Sequence, residues 1–166
     1  MNDDAPHAAH EILAGREACR QALRDGFAEA ARAGCRELWL CDADYADWPL
    51  GERAVIDSLS KWAYSHRKLT VLAASFDELT RRHSRWLEWR REWSHVVDCR
   101  QLEEGDANDP PRLLLAPGLF AVRIFDVRHW RGGLSIDPVA LVDSREAIDA
   151  LVQRSSDALP VTTLGL

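Results

Sequence analysis

Apolar residues in the first third of the chain recur at three- and four-residue steps. Ile12, Cys19, Leu23, Phe27 and Ala30 place one greasy stripe on a helix over 8–33, and Gly34 stands where a left-handed C-terminal glycine would end it. Leu38 to Cys41 is apolar on both alternating faces, the pattern of a strand covered on both sides. Tyr45 to Trp48 reads as a loop. Pro49 fits the first turn of a second helix that runs to about His66, with Val55, Ile56, Leu59 and Trp62 inward. Leu69 to Ala74 is a second strand. Ser75-Phe76-Asp77-Glu78 has the spacing of a capping box and opens a third helix carrying Trp86, Trp89 and Trp93. His95 to Leu102 is a third strand, followed by a polar, turn-rich loop over Glu103 to Pro111.

The last third changes period. Arg112 to Ala116 and Leu119 to Val127 read as strands joined by a hairpin turn at Pro117-Gly118, and Trp130 to Gly133 makes another turn. Leu134 to Val142 reads as a further strand, with Pro138 implying an edge or a bulge. Asp143 or Ser144 caps a closing helix over 145–158, and the tail from Pro160 is expected to fray. The order α-β-α-β-α-β, then a β cluster, then α, predicts a three-layer α/β sandwich with a mixed sheet. One domain over 1–166, with its core at about 10–158, accounts for the whole chain.

Charge and cysteine usage narrow the partners. The 166 residues carry a net charge of −6, which argues against general affinity for nucleic acid or an anionic membrane. No apolar run is long enough to span a bilayer, and the acidic N-terminus does not read as a signal peptide, so the cytoplasm is the expected location. Cys19, Cys35, Cys41 and Cys99 form no CxxC pair and match no zinc spacing, which predicts reduced thiols and no bound metal. Residues 61–100 hold nine Lys or Arg against five acids, a basic island on an acidic protein. A single helical register over 76–93 sets Trp86 and Trp93 inward and leaves Trp89 at the edge beside Arg82 and Arg85. These three are the expected binding residues, for a protein partner or a second copy of the chain.

The candidate chemistry lies at Asp42 and Asp44, at the carboxyl end of the first βα strand, where open α/β sheets bind ligands. Aspartates there also commonly brace a loop. As a catalytic pair they would suit a Mg²⁺-dependent phosphohydrolase, with Asp42 as nucleophile, Asp44 as acid/base, and Asp106 and Asp109 from the acidic loop completing the metal set. The sequence resembles the haloacid-dehalogenase pattern in that respect, although the Ser or Thr expected just after Asp44 and a Lys before the acidic loop are both missing. Arg123, Asp126, Arg128, His129 and Arg131 cluster at a hairpin tip that reads as a solvated turn or an anion site.

The element order resembles one half of the phospholipase D-like superfamily. The strand Arg36–Asp44, the helix over 49–66 and the strand Leu69–Ser75 are similar to its opening βαβ unit. The stretch 112–158 is similar to its last portion, with a strand, a hairpin, Gly132-Gly133-Leu134-Ser135 and a helix opened by Asp143-Ser144-Arg145-Glu146. The resemblance covers most of 10–158 and rests on element order and hydrophobic pattern. That family's HxK-x4-D motif would fall on Pro110-Pro111-Arg112 and Pro117. Arg112 takes the Lys position, Pro110 the His and Pro117 the Asp, and the downstream Gly-Ser-x-Asn falls near Gly133 to Asp137 without its Asn. Without an imidazole nucleophile the phosphodiesterase chemistry is lost. The resemblance therefore implies a degenerate bacterial member that needs no cofactor: a non-catalytic binding or scaffold module, homo-oligomeric because the family's half-domains often pair.

Overall fold

The computed structural model describes residues 10–64 and 66–161. Eight strands form one mixed sheet: β1 (His10–Ala14), β2 (Glu37–Asp42), β3 (Lys68–Ala73), β4 (Val97–Gln101), β5 (Arg112–Ala116), β6 (Phe120–Asp126), β7 (Arg131–Ser135) and β8 (Ser156–Asp157). Their spatial order is β1-β7-β6-β5-β2-β3-β4-β8. The central β2, β3 and β4 run parallel, and every other neighbouring pair is antiparallel. Helices α1 (Arg16–Ala33), α2 (Arg53–Trp62), α3 (Asp77–Arg82) and α4 (Ser84–Glu92) lie on one face, and α5 (Pro138–Arg154) lies on the other.

The sheet's alternation sorts side chains between two unequal cores. Leu38, Leu40, Leu69, Val71, Leu114 and Val122 point to the large core beneath α1, α2 and α4. Cys41, Leu72, Leu113, Leu115 and Ala121 point the other way, into a smaller core with Leu102 and with Leu141, Ile148 and Leu151 of α5. On the crowded face, Gly26 lets α1 close onto the sheet, since a Cβ there would stand 2.8 Å from Leu114 Cδ2.

Several boundaries differ from the sequence expectation, each for a physical reason. The stripe over 8–33 is two elements. His10–Ala14 is an edge strand, Gly15 at φ +100° turns the chain, and α1 begins at Arg16, so Ile12 leaves the helix stripe and stands 83% exposed. Residues 8 and 9 lie outside the described residues, as does the tail beyond Val161. Pro49 opens a turn, and α2 starts only at Arg53. Pro138 sits in the first turn of α5, where Asp137 accepts from the Ala140 amide at 3.1 Å, so neither Asp143 nor Ser144 is the cap and no strand runs to Val142. Ser75 accepts from the Asp77 amide at 3.3 Å, while the Glu78 carboxylate holds Arg81 and Arg82, so the capping box does not form.

The third helix breaks at His83, whose backbone leaves helical geometry (φ −121°, ψ 58°). The break resets the register, and Trp86, Trp89, Arg90 and Trp93 now recur at i, i+3, i+4 and i+7. Trp89 is therefore buried (3% exposed) beside Trp86, with ring centroids 6.4 Å apart, and Trp93 is the half-buried member. The expected exposure of Trp89 is overturned. Replacing Trp86 or Trp89 by Ala should each cost about 3–5 kcal/mol, the range for deleting a large buried aromatic. Trp93→Ala should cost clearly less. Urea denaturation of the three variants checks the order.

Candidate functional site

The carboxyl end of β2 carries Asp42, only 2% exposed. Its Oδ2 accepts from the amides of Asp44 (3.1 Å) and Tyr45 (2.8 Å), an Asx turn that bends the chain away from the sheet. Its Oδ1 accepts from Arg112 Nη1 at 2.9 Å, at the start of β5. Asp44 braces the same loop by accepting from the Ala46 amide at 3.0 Å. Tyr45 follows in the left-handed region (φ +59°), fully buried, and its hydroxyl donates to the Leu72 carbonyl at 2.7 Å. His83 Nε2 lies 2.7 Å from the Tyr45 carbonyl. A carbonyl only accepts, so that nitrogen carries the proton. Burial, the largest influence, pushes the His83 pKa down, and the ring is neutral. This bond pins the helix break to the β2 loop.

Around the Asp42–Arg112 pair stand Asp47, Trp48, Ile124, Val127 and Trp130, enclosing a cavity of about 10 Å³. That is room for one water at most. Trp48 packs edge-on against Tyr45 at 4.9 Å. Trp130 is held in place where its carbonyl accepts from the Gly15 amide at 2.9 Å, and Arg16 lies 5.8 Å from its ring centre.

The expected metal set is not assembled. Asp42 is committed to Arg112 and two amides, and Asp106 accepts from Arg154 at 2.9 and 3.0 Å. Among the described residues no three His, Cys, Asp or Glu side chains group as metal ligands. Nor does the Trp89, Arg82 and Arg85 surface form. Trp89 is buried, Arg82 donates to Glu78 at 2.6 Å, and Arg85 donates to the Gly51 carbonyl at 3.2 Å. Part of the rest of the basic island is similarly spent, while Lys61, Lys68 and Arg91 stand exposed. Arg67 donates to the Gly34 and Cys35 carbonyls, Arg90 is buried, and Arg100 pairs with Asp98 and Asp157. At the hairpin tip Asp126 accepts from the Arg128 and His129 amides and from the His129 ring at 2.8 Å, which organises a turn. All four cysteines are free, and burial pushes Cys41 up to about 12 and Cys99 up to about 11.

The hairpin register corrects the motif alignment. Arg112 pairs with Ile124 and Ile124 with Gly132, whereas Ser135 pairs with Ala121 at the far end of the strands. Ser135 and Asp137 therefore lie away from Arg112 and brace the start of α5. What returns to Arg112 is the end of β6 and its turn, from Ile124 to Trp130. Sequence reasoning missed Trp48 and Trp130 as lining residues. The available signal was that a hairpin turning at Pro117-Gly118 brings residues after Ile124 back beside Arg112.

No protein-family model matches the chain, and neither does any curated protein. Solved structures do match. NucT from Helicobacter pylori superposes with a TM-score of 0.60 at 6% identity, over 90% of this chain and 98% of that one. Nuc from Salmonella typhimurium, a phospholipase D family member, gives 0.59 at 8% identity, over 91% and 98%. The fold is phospholipase D-like. TrmBL2, an archaeal chromatin protein whose structure shows a novel mode of DNA binding, superposes with a TM-score of 0.65 at 11% identity, over 95% of this chain. This chain spans 57% of TrmBL2's length.

Two measurements probe the site. Arg112→Met leaves the buried Asp42 carboxylate without its cation and should cost about 3 kcal/mol, the low end for breaking a buried pair, because Arg112 is partly solvated. The Asp42→Asn/Arg112→Met double variant should recover at least half of that loss in a denaturation cycle. His83 has a lowered pKa in the fold, so its contribution is complete above the ordinary value of 6.5 and is lost as pH falls through the lowered value. Unfolding free energy should therefore drop on acidification below about pH 6.5, and His83→Gln should flatten that part of the profile.

Proposed function

We propose that this chain is a phospholipase D-like module that binds and assembles without cleaving phosphodiesters. One observation carries the reading: Arg112, at the position the resemblance gives to a phosphate-binding Lys, is already neutralised by the buried Asp42 at 2.9 Å. A cation spent on an internal carboxylate has little left for a phosphate. Pro110 stands where the resemblance puts the imidazole nucleophile, and the gap that Trp48 and Trp130 line beside the ion pair is about the size of one water. His83 is committed to the Tyr45 carbonyl of the β2 loop and His129 to Asp126 of its own turn.

The Mg²⁺-dependent alternative needs a free Asp42 carboxylate, and both its oxygens are taken. Nucleic acid would need a continuous cationic face. Here Arg67, Arg82 and Arg100 are held by acids and carbonyls of the chain, which interrupts the basic island, and the net charge is −6. A second copy of the chain is the partner this reading favours.

The test is turnover of bis(4-nitrophenyl) phosphate by purified chain, with and without Mg²⁺. The expected result is no rate above a buffer blank. A rate that persists through repurification and disappears in Arg112→Met would overturn the reading.

A further inference from the structure

Among the described residues, one end of the sheet is left open. At the other end, β8 is only two residues long, and its Asp157 is tied to Arg100 at 2.8 Å, a short and charged edge that resists pairing. β1 is different. It has five residues, no proline and no lysine, and Glu11 is its single acid. One row of its N–H and C=O groups faces away from β7 and has no strand partner among the described residues.

The surface around β1 is unusually apolar. Two grooves, of about 600 and 560 Å³, flank it on the two faces of the sheet. Of seven large exposed hydrophobic side chains among the described residues, four line these grooves: Leu119 and Ile136 on the α1 face, Ile12 and Phe125 on the α5 face. The residue directly opposite Ile12 on β7 is Gly133, which offers it no side chain. The Phe125 ring takes the space over that glycine, where a Cβ would stand 3.2 Å from Phe125 Cε2, and remains 68% exposed itself. A solitary exposed isoleucine is ordinary, but one on an open edge with a neighbouring exposed phenylalanine marks an unfilled interface.

We infer that β1 pairs antiparallel with β1 of a second copy, in the register centred on Ile12, to join two sheets into one of sixteen strands. The inference rests on the self-association named in the preceding reading and supplies its surface. Charge and backbone select the register. Centring on Ile12 sets Glu11 opposite the second copy's Leu13 and His10 opposite its Ala14. Centring on Glu11 would oppose two carboxylates, which is unfavourable. Centring on Leu13 would bring Gly15, at φ +100°, into the ladder where the chain already turns away. A two-fold axis normal to the sheet keeps each α5 on the same face. Ile12 and Phe125 of both copies then gather into one apolar cluster between the two α5 helices. Five paired residues per copy fall short of the roughly 1,200 Å² that a stable interface buries. The flanking Ile12–Phe125 and Leu119–Ile136 surfaces widen the contact, and a dimer dissociating in the micromolar range follows.

The experiment is sedimentation velocity on the full chain from about 1 to 100 µM, a range that brackets micromolar dissociation. The wild type should shift from monomer to dimer across it. Ile12→Lys should remain monomeric throughout, at least a tenfold weakening, with an unchanged thermal midpoint because the side chain is exposed. Val142→Lys, exposed on α5 outside both grooves, should dimerise as the wild type does. The register is read by mild oxidation. Ile12→Cys should form an intermolecular disulfide, since directly opposed residues lie about 5 Å apart. Glu11→Cys should not, since its equivalent is displaced by two residues to about 8 Å. A dimer that survives Ile12→Lys would overturn the edge and leave self-association standing. A wild type that stays monomeric would overturn both, with the phosphodiester assay still deciding the non-catalytic reading. Equal cross-linking at both positions would overturn the register.

Discussion

The Asp42 carboxylate is the junction on which the centre of the molecule depends. It stands at the end of the central parallel strand, and its three hydrogen bonds run to the following loop and to the first residue of β5. A buried carboxylate is tolerated only when its lone pairs are met and its charge is answered. Those demands fix the Asx turn, place Tyr45 in the core, and draw Arg112 inward. Tyr45 then supplies the carbonyl that holds His83, and His83 breaks the third helix. The burial of Trp89 is thus a distant consequence of one aspartate.

The same pair decides what this end of the fold can do. In open α/β sheets ligands bind in the crevice outside the carboxyl ends of the strands. Here the cleft is closed by an ion pair and by Trp48 and Trp130. An internal contact occupies this end of the sheet, and the exposed apolar side chains lie elsewhere.

That surface follows from the unequal covering of the sheet. Four helices share one face, and the single helix α5 serves the other. One helix about 10 Å wide covers about two strands of 4.8 Å spacing well. It packs on β5 and β6, and beyond them β7 and β1 keep apolar positions exposed in the groove beside it. Gly133 deepens the gap by offering Ile12 nothing to pack on. The exposed edge is therefore a geometric remainder of the fold, and the proposed pairing fills it.

Legibility from sequence tracked the range of the interactions involved. Central strands β2 to β6 were readable because continuous apolar runs bounded by turns require burial on both faces, wherever the chain lies. The α/β sandwich followed from their order, as did the hairpin at Pro117-Gly118 and the loop-bracing role open to Asp42 and Asp44. The edge strand β1 was not readable, because five half-exposed residues carry a pattern that a helix also accommodates. The Pro138 boundary needed knowledge of whether a strand or a cap preceded it. Trp89 was misplaced because its orientation depends on a helix break imposed by the Tyr45 carbonyl, 38 residues upstream of His83. The partnership of Asp42 with Arg112 spans 70 residues and exists only once β2 and β5 are neighbours. Sequence by itself determined which segments must be buried, since that follows from local hydrophobic period. Tertiary structure alone decided which charges are spent on one another and which edge stays open, since both depend on what the fold brings alongside.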